Sequence, residues 1–181
     1  MTAKRLLYSL LDLDDSERLD LHEISLTDLG ADIEVLRRLD RYDARVNLKS
    51  TATGVMAEFC GEFTAVLPCV RCLEDAVMSF KERLHLEYVA GVDPRIKHVK
   101  TELQAKDIDR VYFTGNDIDL AIGLRELVVL ALPIAPLCAS SCAGICPVCG
   151  RNRNKNACRC QAPVVGRFMP AAPLRRIRRK K

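Results

Sequence analysis

Alternation of apolar and polar residues over three consecutive segments constrains the fold of this 181-residue chain more than any other feature. Apolar or small side chains occupy mainly the even positions in residues 44–53, the odd positions in residues 55–67 and the even positions again in residues 76–88. A period of two is typical of a β-strand with one buried face and one solvated face. The sequence therefore predicts an α+β fold built on an antiparallel β-meander.

A helix is predicted to cover the buried face of this meander. Asp119 suits the N-cap position, the following residues as far as Leu132 are largely apolar, and Pro133 and Pro136 end the helix. So many apolar positions indicate a helix that is mostly buried against the sheet rather than one with a narrow apolar stripe.

Shorter elements are predicted on either side of the meander. Residues 6–11 read as a short buried strand, and residues 27–42 as a helix that directs Ile33, Leu36 and Leu39 inward. Residues 91–110 are polar and predict a loop, after which residues 111–114 predict a further short strand.

Composition excludes two classes of protein. The 49% hydrophobic share of the chain argues against wholesale disorder. No apolar run approaches the length of about 20 residues that a membrane span needs, so no membrane association is expected. The first apolar run lacks a cleavage site before Asp12, which argues against a signal peptide and predicts a cytoplasmic protein.

We expect a body at residues 1–137, a cysteine-rich zinc module at residues 138–163 and a basic, flexible tail at residues 164–181.

Nine cysteines stand in this chain, and their spacing predicts metal binding. In a protein without an export signal, such cysteines are more often metal ligands or redox groups than disulfides. Cys60, on the strand face opposite Phe59 and Phe63, is interpreted as a structural thiol. The remaining eight are enough for two four-coordinate sites with no open position, which predicts two structural zinc ions and no catalytic metal. The candidate ligands are Cys69, Cys72, Cys138, Cys142, Cys146, Cys149, Cys158 and Cys160.

Two divisions of these ligands are compatible with the spacing. In the first division, which we favour, the last four cysteines close one site locally, and the ion of the other site joins the hairpin between the second and third strands to the segment after the helix. That second group comprises Cys69, Cys72, Cys138 and Cys142. The other division pairs the two C-x2-C turns, Cys69 and Cys72 with Cys146 and Cys149, in zinc-ribbon style.

Charge is distributed unevenly along the chain. Residues 1–126 hold all 24 acidic side chains and 17 Lys or Arg, whereas residues 127–181 hold 11 Lys or Arg and no acidic residue. Such asymmetry predicts contact with a polyanion, and the scarcity of aromatic residues favours recognition of the backbone and shape of folded RNA or DNA. The candidate phosphate-contacting residues are Arg151, Arg153, Lys155, Arg159, Arg167, Arg175, Arg176, Arg178, Arg179, Lys180 and Lys181.

Functions of different classes remain open on these residues. A non-enzymatic RNA-binding factor fits the basic end, since no histidine or carboxylate that could cleave RNA lies near it in sequence. A thiol-based redox regulator would use the C-x2-C dithiol at Cys69 and Cys72, beside Arg71. An adaptor would bind a protein partner, such as a nuclease, through the sheet and use the basic tail for localisation.

The order of motifs over residues 43–160 resembles that of the bacterial YceD family. The hairpin Pro68-Cys69-Val70-Arg71-Cys72-Leu73 is similar to the C-x-R-C-L signature of that family. The helix opening at residues 117–120, its end at residues 130–138 and the cysteine-rich residues 142–160 also resemble the family.

This resemblance implies a role in the accumulation and processing of large-subunit ribosomal RNA. It implies large-subunit ribosomal RNA or a pre-ribosomal particle as the partner, and also a large-subunit ribosomal protein, whose gene often lies beside those of the family. Shorter members of the family retain the first cysteine pair and a ligand near Cys138 and Cys142, which favours the first division. No catalytic residue is established for the family, so none is transferred to this chain.

Overall fold

A five-stranded sheet forms the centre of the fold in the computed structural model, which describes residues 6–30, 33, 35–93 and 109–161. The strands are β1 (Leu7–Ser9), β2 (Ser16–Leu21), β3 (Arg38–Thr51), β4 (Gly54–Pro68), β5 (Asp75–Ala90), β6 (Arg110–Phe113) and β7 (Asp117–Asp119), and helix α1 spans Leu120–Ala131. The sheet has the order β2-β3-β4-β5-β6, and β1 forms a separate antiparallel ladder with β7.

The antiparallel meander predicted from the alternating residues is confirmed in β3, β4 and β5, and the fold is of the α+β type. The strand predicted at residues 111–114 is present as β6, but it pairs in parallel with β5, so the sheet is mixed rather than purely antiparallel. No described helix is both long enough and apolar enough to cross a membrane.

Helix α1 packs closely against the inner face of the sheet. Phe59 and Leu124 are fully buried between the two layers, and a Cβ atom at Gly123 would lie only 2.4 Å from the Phe59 ring. Tyr42 donates a hydrogen bond of 3.0 Å from its hydroxyl to the Leu124 carbonyl oxygen. The predicted N-cap is confirmed, because the Asp119 carboxylate accepts a hydrogen bond of 2.9 Å from the Ala121 N–H. Burial of one face of the helix therefore organises the core.

The helix predicted at residues 27–42 is wrong. Residues 26–30 form turns, Gly30 has a φ of +66°, and β3 already begins at Arg38. Pairing of Arg38 and Leu39 with β4 overrides the helical spacing of the apolar residues, because local propensity is weak beside a long-range β-ladder.

The N-terminal strands differ in part from the prediction. The strand predicted at residues 6–11 is shortened to β1, where Leu7 is exposed, and a 3-10 turn follows at Leu10–Asp12. Strand β2 was not predicted, because its half-buried positions include Glu17 beside Leu19 and Leu21, which interrupts the apolar alternation. Glu17 accepts a hydrogen bond from the Tyr8 hydroxyl, which explains its place on that face.

Candidate metal centre

Four cysteines from distant parts of the chain meet at one end of the sheet and form the first tetrad, Cys69, Cys72, Cys138 and Cys142. All four sulfurs lie within 4.8 Å of one another. The Sγ atoms of Cys69 and Cys142 are 3.8 Å apart, and those of Cys72 and Cys138 are 3.5 Å apart. A tetrahedral zinc ion with Zn–S bonds of about 2.3 Å separates its sulfurs by about 3.8 Å. A disulfide would need about 2.0 Å, so the spacing fits a shared ion.

The β4–β5 hairpin and the end of α1 bring this tetrad together. Cys69 and Leu73 close the hairpin tip, since the Leu73 N–H donates to the Cys69 carbonyl oxygen at 2.9 Å. The chain leaving α1 docks against this tip, because the Val70 N–H donates to the Pro136 carbonyl oxygen at 2.9 Å. Cys138 follows two residues later, so the hairpin and the post-helix segment supply ligands to the same site.

The second tetrad forms locally from the last four cysteines, Cys146, Cys149, Cys158 and Cys160, whose sulfurs also lie within 4.8 Å of one another. The Gly150 N–H donates to the Cys146 carbonyl oxygen at 2.9 Å and closes the C-x2-C turn. Gly150 has a φ of +70°, a conformation that glycine adopts without the steric cost of a side chain. The structure thus groups the eight cysteines in the first of the two divisions compatible with their spacing.

Hydrogen bonds polarise the sulfurs of the first tetrad unequally. The backbone N–H of Cys138 donates to the Cys69 sulfur and lowers the pKa of Cys69 from 9.0 to about 6. The Asn154 side-chain amide, 3.2 Å from the Cys142 sulfur, lowers the pKa of Cys142. A hydrogen bond between the sulfurs of Cys138 and Cys72 raises the pKa of Cys138 to about 12. The four sulfurs of the tetrad therefore differ in how readily they ionise.

The second tetrad has the same asymmetry. Backbone N–H groups of Cys149 and Val148 lower the pKa of Cys146 to about 6, and the hydrogen bond with Cys149 raises the pKa of Cys160 to about 12. Neighbouring thiols cannot all ionise, because like charges this close repel each other. A divalent cation removes that repulsion and allows all four sulfurs of a tetrad to become thiolates.

The two tetrads are joined by backbone contacts around Gly144. The Ile145 N–H donates to the Arg71 carbonyl oxygen at 2.9 Å, and the Arg153 N–H donates to the Gly144 carbonyl oxygen at 2.9 Å. Gly144 has a φ of +70°, and a Cβ atom there would lie 3.0 Å from the Arg71 carbonyl oxygen. The loop of the second tetrad therefore packs directly on the hairpin tip that carries the first.

Two polar side chains that the sequence analysis did not single out complete this junction. The Glu74 Oε1 atom accepts from the Lys155 ammonium at 2.7 Å and from the Asn152 amide at 3.3 Å. Asn154 donates to the Cys142 sulfur and accepts from the Ala143 N–H at 2.7 Å. Neither residue belongs to a sequence motif, and only the fold places them beside the cysteines.

The predicted phosphate-contacting residues fall into three groups. Arg151, Arg153 and Arg159 are exposed, and no described carboxylate lies within ion-pair distance of them. Lys155 is also exposed, but its ammonium is paired with Glu74, which raises the pKa of Lys155. The other predicted residues, Arg167, Arg175, Arg176, Arg178, Arg179, Lys180 and Lys181, lie outside the described residues.

Arg71 is a further exposed cation near the exposed Arg151, Arg153 and Arg159, and together these four arginines form a basic surface. Its guanidinium donates to the Cys142 carbonyl oxygen at 3.0 Å and has no carboxylate partner among the described residues. The hairpin motif draws attention to Arg71, but only the fold brings it beside the second tetrad.

Comparison with known proteins places this arrangement in a family. The family model described as "Large ribosomal RNA subunit accumulation protein YceD" matches residues 59–174, well over half of the chain and a range that contains all eight clustered cysteines. The chain belongs to the YceD family. The resemblance found in the motifs is thereby confirmed, and the family's name refers to accumulation of the large ribosomal RNA subunit.

A curated member of the YceD family is similar over a short stretch. It is the large ribosomal RNA subunit accumulation protein YCED homolog 1, chloroplastic, from Arabidopsis thaliana, which is 39% identical over 54 residues. The aligned stretch covers 29% of this chain and 17% of that protein. No solved structure matches the chain.

Proposed function

We propose that this YceD-family protein is a non-enzymatic, zinc-stabilised RNA-binding factor that supports the processing and accumulation of large-subunit ribosomal RNA. The family description and the name of the Arabidopsis relative support the ribosomal RNA part of this proposal. Zinc and direct RNA contact are supported by the two tetrads and by the basic surface beside them.

Burial within residues 138–161, the described part of the cysteine-rich module, is the observation that carries the proposal. The buried positions of this fully described segment are Cys142, Gly144 and Cys146, while Ile145 and Val148 are exposed. A segment without an apolar core cannot hold one shape by the hydrophobic effect, and metal–thiolate bonds are the established substitute in such small modules. Four thiolates per site leave no open position, which favours a structural zinc ion.

Charge pairing supports contact between this module and phosphate groups. Exposed arginines of the body are largely neutralised by carboxylates, as in the pairs Arg18–Asp20, Arg38–Asp40 and Arg41–Asp43. By contrast, Arg151, Arg153 and Arg159 of the module have no such partner among the described residues. Unpaired guanidinium groups are available for the bidentate contacts that phosphate favours.

The RNA contact is tested by the salt dependence of binding to large-subunit ribosomal RNA. Let K be the association constant for RNA, which falls as salt rises. Changing Arg151, Arg153 and Arg159 to Gln should make the negative slope of log K against log salt shallower by about 2 to 3, because each phosphate contact contributes about 0.7–0.9 to its steepness. The control changes Arg18, Arg38 and Arg41 to Gln, which removes the same charge from the body. Equal effects of the two triple variants would contradict a phosphate-contacting module.

The metal is tested by its stoichiometry in protein purified without oxygen. Two zinc ions per chain are expected, falling to one when Cys158 and Cys160 are changed to Ser, whereas Cys60→Ser should keep both. Metal-free protein in which Cys69 and Cys72 oxidise reversibly would instead support the redox regulator.

A further inference from the structure

Asn154 is the one side chain of the second tetrad's loop that makes a hydrogen bond to a sulfur of the first tetrad in the described structure. It lies between Cys149 and Cys158, and its Nδ2 atom is 3.2 Å from the Sγ atom of Cys142. Its Oδ1 atom accepts from the Ala143 N–H at 2.7 Å, so both ends of the amide are used. The geometry fixes which amide atom faces the sulfur.

The loop itself holds Asn154 in this orientation. The Asn154 N–H donates to the Asn152 side chain at 2.9 Å, and Asn152 in turn donates to Glu74 of the hairpin. A β-bridge between Ile145 and Asn152 closes the loop behind the Cys146 turn. The donor is therefore positioned for Cys142 only while the second tetrad's loop keeps this shape.

We propose that Asn154 couples the two metal sites, so that an ion in the second tetrad strengthens binding of an ion in the first. The coupling rests on the proposed zinc binding and adds to it a specific positioning residue. The Asn154 amide, 3.2 Å from the Cys142 sulfur, holds that sulfur in position among the other three ligands, and a partner that orients a metal ligand raises the affinity of the site. The loop that presents Asn154 has no apolar core, so its order depends on its own four sulfurs. An ion in the second tetrad therefore orders the loop and places Asn154 against the Cys142 sulfur of the first tetrad.

Coupling of this kind is reciprocal. If the second site raises the affinity of the first by some factor, the first must raise the affinity of the second by the same factor. Partners that hydrogen-bond to metal ligands typically change metal affinity by about 10- to 100-fold when they are removed. An effect of that size is expected for Asn154.

The experiment follows cadmium-113 bound to the full chain by NMR, which gives a separate resonance for each tetrad. The resonance of the first tetrad is assigned from the variant in which Cys158 and Cys160 are Ser. Titration with a chelator then measures the affinity of that site in the wild type and in Asn154→Ala, which lacks the donor. Asn156→Ala is the matched control, because no hydrogen bond of the Asn156 side chain is found in the described structure and it lies in the same loop.

The proposal predicts that Asn154→Ala weakens the first site about 10- to 100-fold and shifts its resonance, while Asn156→Ala does neither. Adding Asn154→Ala to the Cys158→Ser, Cys160→Ser variant should cause little further loss, because that variant no longer orders the loop. Asn154→Asp, which keeps the acceptor for Ala143 but replaces the donor by a charged oxygen, should weaken the first site at least as much as the alanine variant does. If it retained wild-type affinity, the sulfur contact would be irrelevant.

Failure of the coupling is distinguishable from failure of the zinc proposal. A wild-type chain that binds two ions, with a first-site affinity that stays the same in Asn154→Ala and in the Cys158→Ser, Cys160→Ser variant, would overturn the coupling and leave the metal centre intact. A wild-type chain that binds no metal ion would overturn both.

Discussion

The body and the cysteine-rich module of this protein are stabilised by different means. The body buries whole aromatic and aliphatic side chains, such as Phe59, Tyr88 and Val128, between a sheet and a helix. The module buries two cysteines and a glycine over 24 residues and has one isolated β-bridge as its regular structure. The comparison teaches that the first region is held by buried apolar area, whereas the second lacks such a core and, under the proposed function, relies on metal–thiolate bonds instead.

Metal removal should separate these two regions most strongly. A strong chelator should abolish amide protection in residues 138–161, because structural zinc contributes about 10–16 kcal/mol in comparable small modules. Protection in β3, β4 and β5 should remain, since their burial does not involve the metal. Hydrogen exchange measured residue by residue makes the comparison.

Unchanged protection of the module after complete chelation would contradict its dependence on metal. Equal loss in both regions would show that the hairpin transmits the disturbance to the sheet.

Gly123→Ala should destabilise the body and leave metal content unchanged. Alanine normally favours a helix over glycine by about 1 kcal/mol. Here the added methyl group would meet the Phe59 ring at 2.4 Å, so we expect a net loss of about 1–3 kcal/mol in the free energy of unfolding. Denaturant unfolding measures the loss, and combining the change with Phe59→Leu should recover part of it. A more stable Gly123→Ala variant would contradict the close helix–sheet packing.

Gly144→Ala and Gly150→Ala form a matched pair within the module. Both glycines have a φ of +70°, so alanine should cost each about 1 kcal/mol of local backbone strain. Only at Gly144 does the new Cβ atom meet another backbone atom, the Arg71 carbonyl oxygen at 3.0 Å. Gly144→Ala should therefore loosen the module more, measured by exchange of the Ile145 amide. Equal exchange in the two variants would indicate that contact with Arg71 is unimportant.

Glu74→Gln should have the smallest effect. Because Glu74 and Lys155 are both exposed, the loss of their ion pair should change stability little. The change frees the Lys155 ammonium and removes a negative charge beside the module, so RNA affinity should rise by less than about fivefold at low salt. Asp75→Asn, which removes the neighbouring charge and frees Arg37 of the body instead of Lys155, is the control. A fall in RNA affinity would show that Glu74 orients the module rather than masking a cation.

Residue patterns predicted much of the body because its elements carry periodic signals. Alternation located β3, β4 and β5, and Asp119 followed by an apolar run located α1. The same reasoning failed at residues 27–42, where the helically spaced Ile33, Leu36 and Leu39 precede or begin a strand instead of lining a helix. Leu39 pairs with Ala65 of β4, more than 20 residues away, and no local pattern encodes that choice.

The two tetrads were predictable as a group because cysteine spacing limits which sulfurs can meet. The junction between them was not. Glu74 and Asn154 are ordinary polar residues in turns, separated by 80 positions, and they acquire a role only when the hairpin meets the module. The Lys155 ammonium is likewise paired with Glu74, a carboxylate from another part of the chain. The sequence alone therefore predicted a cation free to contact phosphate where the structure has an ion pair.

Strands β4 and β5 place the first tetrad at one end of a long, paired ladder. β4 runs for 15 residues, which corresponds to a path on the order of 45–50 Å between the Thr51–Gly54 turn and the cysteines. The β4–β5 ladder therefore acts as a rigid spacer, with the first tetrad at one end and the Thr51–Gly54 turn at the other. A partner bound at the Thr51–Gly54 turn would be held at a fixed distance and angle from a partner bound beside the first tetrad.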